Sequence, residues 1–98
     1  MNYWKKVRRI LRKSNVVIEV VDARFPSQTR NKELEQSCFN ADKKLIVAIN
    51  KSDLVSKEEA EKTRKAFSKD VPTVLVSTRK RKGKNNIMRL LKIFSKDK

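Results

Sequence analysis

Four polar residues, Asn50, Lys51, Ser52 and Asp53, follow directly on the apolar run of residues 45–49. A short run of this kind predicts a buried strand. In parallel α/β sheets, ligands bind beyond the carboxyl ends of the strands, where side chains from several loops converge. The carboxylate of Asp53 can accept two parallel hydrogen bonds, so the segment suits a ligand that offers two neighbouring N–H donors.

Guanine offers such a pair of donors, from its ring N1–H and its exocyclic amino group, whereas adenine does not. A site built to pair its polar groups with one base penalises a base that leaves them unsatisfied, by about 1–3 kcal/mol per neutral group. Asp53 is therefore a candidate guanine-binding residue. The same tetrapeptide also suits an ordinary strand-to-helix turn, because Asn, Ser and Asp favour such turns on conformational grounds.

The rest of the chain alternates between helical and strand-like runs, which predicts an α/β fold with a three-stranded parallel sheet and flanking helices. Strands are expected at residues 16–21, 45–49 and 74–76. Helices are expected at residues 4–14, 31–39, 56–67 and 87–94, with a loop at residues 22–29. The predicted order is α-β-α-β-α-β-α, in a single domain of residues 1–98.

The start of the third helix has the clearest local signal. Ser56 and Glu59 fit a capping box, and Val55 and Ala60 occupy the two positions of a hydrophobic staple. The helix is therefore expected to begin next to Ser56 and to run to about residue 67.

Right-handed crossovers place the helices near residues 31–39 and 56–67 on one face of the sheet. Leu34 and Cys38 are expected on one face of the first of these, with Cys38 as a small core residue. The terminal helices are expected to cover the opposite face, because their apolar stripes would otherwise contact water. The strand of residues 16–21 is expected at an edge, where an exposed apolar strand favours self-association.

Composition excludes several classes of chemistry. The sequence contains no His, one Cys and one Gly, which excludes a Ser-His-Asp or Cys-His site, a closed zinc shell and a disulfide framework. No apolar run approaches the roughly 20 residues that span a bilayer, and residues 1–13 do not resemble a secretory signal. We therefore expect a cytoplasmic protein with no membrane partner and no metal site.

The net charge of +15 predicts attraction to polyanions. Both ends of the chain are strongly basic, and the middle is nearly balanced. The densest basic segment supplies the RNA-binding candidates Arg79, Lys80, Arg81, Lys82 and Lys84. A charge run that is simply solvated is the alternative interpretation of this segment.

Asn50-Lys51-Ser52-Asp53 resembles the Asn-Lys-x-Asp guanine-specificity motif of GTPases. The resemblance implies that Lys51 lies along the base and ribose and that Asn50 ties neighbouring loops together. Ser77-Thr78 follows the third predicted strand, where GTPases place a Ser-Ala-Lys-like turn whose backbone N–H meets guanine O6. By this resemblance the guanine-binding candidates that join Asp53 are Asn50, Lys51, Ser77 and Thr78.

Residues 22–26 read Asp-Ala-Arg-Phe-Pro, with Arg30-Asn31 beyond them. This resembles a segment of the circularly permuted GTPases of the ribosome-assembly type, in which the guanine motifs precede the phosphate-binding motifs. The resemblance implies half of a Rossmann-like P-loop GTPase domain, GTP or GDP as ligand, and ribosomal RNA or a ribosomal subunit as partner. Asp22, Ala23 and Arg24 belong to this family motif, and we assign them no specific role.

The phosphate-binding loop of a GTPase needs two glycines, and Gly83 is the only glycine of this sequence. The Asp-x-x-Gly switch motif is also missing, because Lys80 stands three residues before Gly83. Phosphoryl transfer depends on the P-loop and on Mg²⁺. We therefore assign no catalytic residue, expect weak binding of GTP or GDP and no hydrolysis by these residues alone, and expect Mg²⁺ only in a complete domain.

Overall fold

The computed structural model describes residues 15–77, residue 79 and residues 83–96, and only the backbone at residues 84 and 94–96. Its three strands are β1 (Val16–Asp22), β2 (Lys44–Asn50) and β3 (Thr73–Leu75). Its helices are α1 (Pro26–Thr29), α2 (Lys32–Asn40), α3 (Lys57–Ser68) and α4 (Lys84–Lys96), with a 3₁₀ turn at Ser52–Leu54. The strands are parallel and lie in sequence order, which confirms the predicted fold class. The predicted N-terminal helix lies outside the described residues.

β2 is the central strand, and its apolar residues alternate between two cores. Leu45, Val47 and Ile49 pack on the face that α2 and α3 cover. Ile46 and Ala48 pack on the opposite face. All five side chains are buried, so a slip of one residue would exchange the contents of the two cores, and the register is strongly specified.

The helices lie on the faces that the crossover rule predicts. Cys38 of α2 and Phe67 of α3 belong to one core, and Ile87 and Leu91 of α4 are fully buried in the other. The expected apolar stripe of α4 is thus confirmed at these two positions. The side chain of Phe94 and the contribution of the N-terminal helix lie outside the described part of the chain.

The capping box at the start of α3 is present. Ser56 Oγ accepts a hydrogen bond from the Glu59 backbone N–H at 3.1 Å. Ala60 is buried and Val55 is partly buried, as the staple pattern predicts. β3 begins one residue earlier than predicted, although Val76 still donates its backbone N–H to Ile49 O at 2.8 Å.

The prediction of a continuous loop at residues 22–29 was wrong, because α1 forms one helical turn there. Pro26 occupies the first turn of α1, where its fixed φ angle suits a helix. Thr29 Oγ1 donates to Phe25 O at 2.6 Å, and Arg30 N donates to Pro26 O at 3.0 Å. These local bonds close the turn without any apolar periodicity that a sequence pattern would reveal.

Leu34 and Cys38 lie one helical turn apart on α2, and of the two only Cys38 is buried. Leu34 is 37% exposed, and its neighbour Glu35 is only 4% exposed. Arg30 donates two hydrogen bonds to Glu35, at 2.8 and 2.9 Å, and this paired carboxylate takes the inward position. The helix begins after Asn31, whose Oδ1 accepts the Leu34 N–H at 2.9 Å.

β1 likewise buries a carboxylate and exposes an apolar residue. Glu19 is 4% exposed and Val20 is 47% exposed. Glu19 accepts the Asn31 backbone N–H at 2.5 Å. Burial, followed by the neighbouring Glu35 carboxylate, raises the pKa of Glu19 to about 7, while the hydrogen bonds from Arg30 lower the pKa of Glu35. Glu19 therefore binds its proton more tightly than an ordinary carboxyl does, and ionisation of Glu35 is favoured.

β1 and β3 are the two edges of the sheet in the described part of the chain. The placement of β1 agrees with its predicted edge position, and self-association through it stays a prediction. Among the described residues, no helix combines the length and the apolar composition that crossing a bilayer requires.

Candidate functional site

The carboxyl ends of the three strands bring the predicted site residues to one rim of the sheet. Asp22 and Asn50 end β1 and β2 and are paired in register. Ala23 donates its backbone N–H to Asn50 O at 2.8 Å, beyond the ends of both strands. Ser77 follows two residues after β3. The loops after all three strands therefore meet, as expected for a parallel sheet.

A direct side-chain contact joins two of the guanine-binding candidates. Ser77 Oγ donates to Asp53 Oδ1 at 2.6 Å, and Ser77 is fully buried. Ser52 donates both its backbone N–H and its hydroxyl to Val76 O, at 3.1 and 3.0 Å. Three hydrogen bonds thus fix the loop after β2 to the end of β3, and they hold the Asp53 carboxylate in place.

Lys51 turns the chain sharply at the end of β2. Its φ of 62° and ψ of 31° lie in the left-handed region, which is uncommon for a residue with a side chain. Leu54 N donates to Lys51 O at 2.9 Å and closes the turn. The Lys51 ammonium lies 3.6 Å from Asp22 Oδ2, so this side chain is directed toward the end of the neighbouring strand.

Asp22 is the acceptor for two basic side chains. Arg24 donates from Nε to Oδ1 at 3.1 Å, from Nη2 to Oδ2 at 2.8 Å and from its backbone N–H to Oδ1 at 2.8 Å. These bonds from Arg24 hold the pKa of Asp22 well below its usual range. The sequence motif at residues 22–24 therefore forms a charged group beside Lys51, a contact that no sequence pattern indicated.

Asn50 contributes to the rim in two ways. Its main-chain carbonyl accepts the Ala23 N–H, so the backbone of Asn50 links two neighbouring loops. Its side-chain Oδ1 is buried and has no hydrogen-bond partner among the residues that the structure describes. A buried acceptor left without a donor costs about 1–3 kcal/mol.

Comparison with known protein families identifies a family to which the chain is similar. The family model of the elongation factor Tu GTP-binding domain matches residues 1–96. The chain belongs to this family.

Curated relatives carry related descriptions. An uncharacterised GTP-binding protein of Methanocaldococcus jannaschii is 40% identical over 88 residues, which cover 90% of this chain and 23% of that protein. Guanine nucleotide-binding protein-like 3 of Homo sapiens is 36% identical over 92 residues, which cover 92% of this chain and 17% of the relative. Guanine nucleotide-binding protein-like 3-like protein of Mus musculus is 39% identical over 74 residues, which cover 74% and 13%. The chain thus spans less than a quarter of the length of these relatives.

Several predicted site residues of this GTP-binding domain lie outside the described residues, namely Thr78, Lys80, Arg81 and Lys82. The backbone of Lys84 begins α4, and its side chain is outside the description. Arg79 is described and exposed. The RNA-binding candidates therefore stay predictions.

Sequence reasoning missed two residues that support the rim of this GTP-binding domain. Ser52 fills the variable position of the motif, and a serine there gives no signal of its contact with Val76. Gly83 has a φ of 86°, and its backbone lies directly against Leu75 O. Because positive φ angles favour glycine, the single glycine of the sequence could have indicated a tight backbone contact at this position.

Among the described residues, no group of three or more His, Cys, Asp or Glu side chains that could hold a metal ion comes together. Binding of Mg²⁺ in a complete domain stays a prediction.

Proposed function

We propose that this chain recognises the guanine base of GTP and GDP through Asp53. The observation that carries the proposal is the 2.6 Å hydrogen bond from Ser77 to Asp53. It orients one carboxylate at the rim of the sheet, at the place where parallel α/β folds bind ligands. Family membership and the guanine nucleotide-binding relatives support the same ligand.

The neighbouring residues have complementary roles in this proposal. Asp53 accepts hydrogen bonds from the N1–H and amino group of guanine, and Lys51 lies along the base and ribose. The main-chain carbonyl of Asn50 accepts the Ala23 N–H, which supports a role for Asn50 in tying neighbouring loops together. The backbone at Ser77 and Thr78 donates to guanine O6.

We further propose that the complete protein is a circularly permuted GTPase that acts in ribosome assembly in the cytoplasm. The motif of residues 22–26 and the order of the guanine motifs support the permutation, and the charge of +15 supports contact with ribosomal RNA. GTP hydrolysis and Mg²⁺ binding belong in this proposal to residues beyond those present here. β1 is an edge strand, so self-association through it is part of the same proposal.

A titration with uncharged nucleosides tests base recognition, because a ligand without phosphates is not attracted by the net charge. We expect guanosine to shift the Ser77 and Asp53 backbone NMR signals more strongly than adenosine does. Inosine, which lacks only the exocyclic amino group of guanosine, should bind about threefold to tenfold more weakly, since it leaves one acceptor unsatisfied. Equal responses to guanosine and adenosine would contradict the proposal. Affinity should be weak, in the millimolar to high micromolar range.

The alternative function is a basic RNA-binding module with idle nucleotide loops. The exposure of Arg79 supports it, since this residue opens the densest basic segment of the chain. Replacing Arg79, Lys80, Arg81 and Lys82 by Gln should flatten the salt dependence of RNA binding, by about 0.7–0.9 in the log–log slope for each phosphate that the variant no longer neutralises.

The matched control replaces four lysines of α3 and its C-terminal flank, Lys57, Lys62, Lys65 and Lys69, by Gln. It removes the same charge from another surface, so it should leave a steeper slope than the first variant does. Equal slopes for the two variants would reject specific contact by residues 79–82 and leave only attraction by net charge.

A further inference from the structure

Asp22 lies where it can act on the base-recognition loop from the neighbouring strand. It ends β1 opposite Asn50, and its Oδ2 lies 3.6 Å from the Lys51 ammonium. Its own position is fixed, because its backbone N–H donates to Thr29 Oγ1 at 2.9 Å. Its side chain is only 18% exposed, against 50% for that of Lys51. A fixed carboxylate thus faces a long side chain with many rotamers.

Lys51 needs an external contact to hold a single direction. The left-handed backbone fixes where its side chain begins, but a half-exposed lysine has four rotatable bonds and loses much rotamer entropy when it is held. A carboxylate within ion-pair distance favours the rotamers that point along the rim. The ligand then meets an ammonium that is already oriented, and preorganisation of this kind increases affinity.

Arg24 competes for the same carboxylate. Its guanidinium lies 2.8 Å from Asp22 Oδ2, the same oxygen that faces Lys51. Arg24 also lowers the pKa of Asp22, so the carboxylate is charged at every pH at which nucleoside binding would be measured. The Asp22 carboxylate is thus shared between two cations, the Arg24 guanidinium and the Lys51 ammonium.

We propose that Asp22 is a positioning residue for guanine-nucleoside binding, which orients Lys51 along the bound base and ribose, with Arg24 limiting how firmly it does so. The proposal rests on the proposed function, and it gives a role to the motif of residues 22–24. It follows from the contacts at the ends of β1 and β2 and involves no covalent step.

A double-mutant cycle with guanosine tests the proposal, because an uncharged ligand does not respond directly to a change in protein charge. Asp22→Asn should weaken guanosine binding about threefold, the effect of losing one exposed ion pair. In a Lys51→Met background, the same substitution should change the affinity by less than about 1.5-fold. An equal loss in both backgrounds, or no loss in the wild-type background, would overturn the positioning role.

The variant Arg24→Gln provides an independent test, which distinguishes the positioning role of Asp22 from a purely structural role. If the Asp22–Arg24 pair only stabilised the loop, both substitutions would weaken guanosine binding. In our proposal Arg24→Gln leaves Asp22 to Lys51 alone, so guanosine affinity should be at least as high as in the wild type, and the Lys51 side-chain NMR signals should shift in opposite directions in the two variants. A loss of affinity in Arg24→Gln matching that in Asp22→Asn would reject the proposal.

The outcome for the wild type separates this proposal from the one on which it rests. A wild-type chain that does not prefer guanosine over adenosine contradicts guanine recognition itself. A wild-type preference for guanosine, combined with an Asp22→Asn variant of unchanged affinity, contradicts only the role of Asp22. Dispersed amide spectra of each variant establish that the fold is intact.

Discussion

Replacing Gly83 by alanine is expected to lower the free energy of unfolding by about 3 kcal/mol. A Cβ at this position would lie 2.1 Å from Leu75 O and 3.0 Å from both Leu75 C and Val76 Cα. These are backbone atoms at the end of β3, so no side chain can rotate to relieve the contact. The φ of 86° adds to the cost, because L-residues with a side chain rarely adopt it.

The effect of this substitution should extend to the base-recognition rim. Gly83 O accepts the Ile87 N–H at 3.1 Å in the first turn of α4, and a Cβ on Gly83 would press on Leu75 O and Val76 Cα. Val76 O accepts the backbone N–H and the hydroxyl of Ser52, in the loop that holds Asp53. A shift at Gly83 is therefore transmitted to the loop that holds Asp53. Urea denaturation measures the loss of stability, and the change in the Ser77 amide signal reports the displacement.

Two further variants separate the contact made by the added Cβ from the cost of the positive φ angle and from any general effect of a substitution in this region. Gly83→Asn should be nearly as destabilising as Gly83→Ala, since Asn tolerates positive φ angles but carries the same Cβ. Asn85→Ala, at an exposed position two residues later, should change stability by less than about 0.5 kcal/mol. A loss below about 1 kcal/mol for Gly83→Ala would show that the end of β3 yields easily, contrary to this expectation.

The second large effect concerns pH. Glu19→Gln should make the protein more stable than the wild type at pH 8 and should abolish a decline of about 2–3 kcal/mol between pH 5 and pH 8. The folded-state pKa of Glu19 is raised from 4.5 to about 7, so the folded state binds the proton more tightly than the unfolded state does. The stabilising contribution of the protonated group is complete below pH 4.5 and is lost as the pH rises through 7.

The geometry explains why Gln should replace the protonated Glu19. The side-chain oxygen of Gln can still accept the Asn31 N–H, and its amide, like a protonated carboxyl, is an uncharged donor near the Glu35 carboxylate. Ionised Glu19 instead places a second negative charge beside Glu35 in the core. The sequence contains no His, so no His titration obscures this pH window.

Thermal or urea unfolding at pH 5 and pH 8 measures the difference. The matched control is Glu58→Gln, which removes an exposed carboxylate from the first turn of α3 and should retain the wild-type decline. A Glu19→Gln variant that keeps the wild-type decline between pH 5 and pH 8 would contradict the raised pKa of Glu19.

The elements that were predicted correctly are those whose signals are local. The capping box at Ser56 and Glu59 involves residues three apart, and the apolar run of residues 45–49 is buried on both faces as expected for a central parallel strand. The stripe of α4 follows helical spacing. Each of these patterns depends on neighbours along the chain, so the sequence alone reveals it.

The elements that were missed depend on contacts between distant segments. Glu19 and Glu35 are inside because Asn31 and Arg30 meet them there, and no periodic pattern predicts a buried carboxylate. The helical turn α1 is too short for periodicity to detect.

The same distinction between local signals and contacts of distant segments applies to the candidate site. Its motif and its position at the strand ends were readable from the sequence, whereas the side-chain hydrogen bond from Ser77 to Asp53 is seen only in the structure. The pairing of Asp22 with Lys51 was not readable, because it depends on the register of β1 and β2 and on the left-handed turn at Lys51. The register of the two strands and the left-handed conformation of Lys51 both depend on how the whole sheet folds.

The most direct test of guanine recognition exchanges the hydrogen-bonding character of Asp53. In Asp53→Asn, the side chain presents a donor beside an acceptor, which suits xanthine, whose carbonyl stands where guanine carries its amino group. We predict that this variant loses at least about tenfold in guanosine affinity and binds xanthosine more tightly than the wild type does. Guanosine binding equal to that of the wild type, with no gain for xanthosine, would show that Asp53 does not read the base.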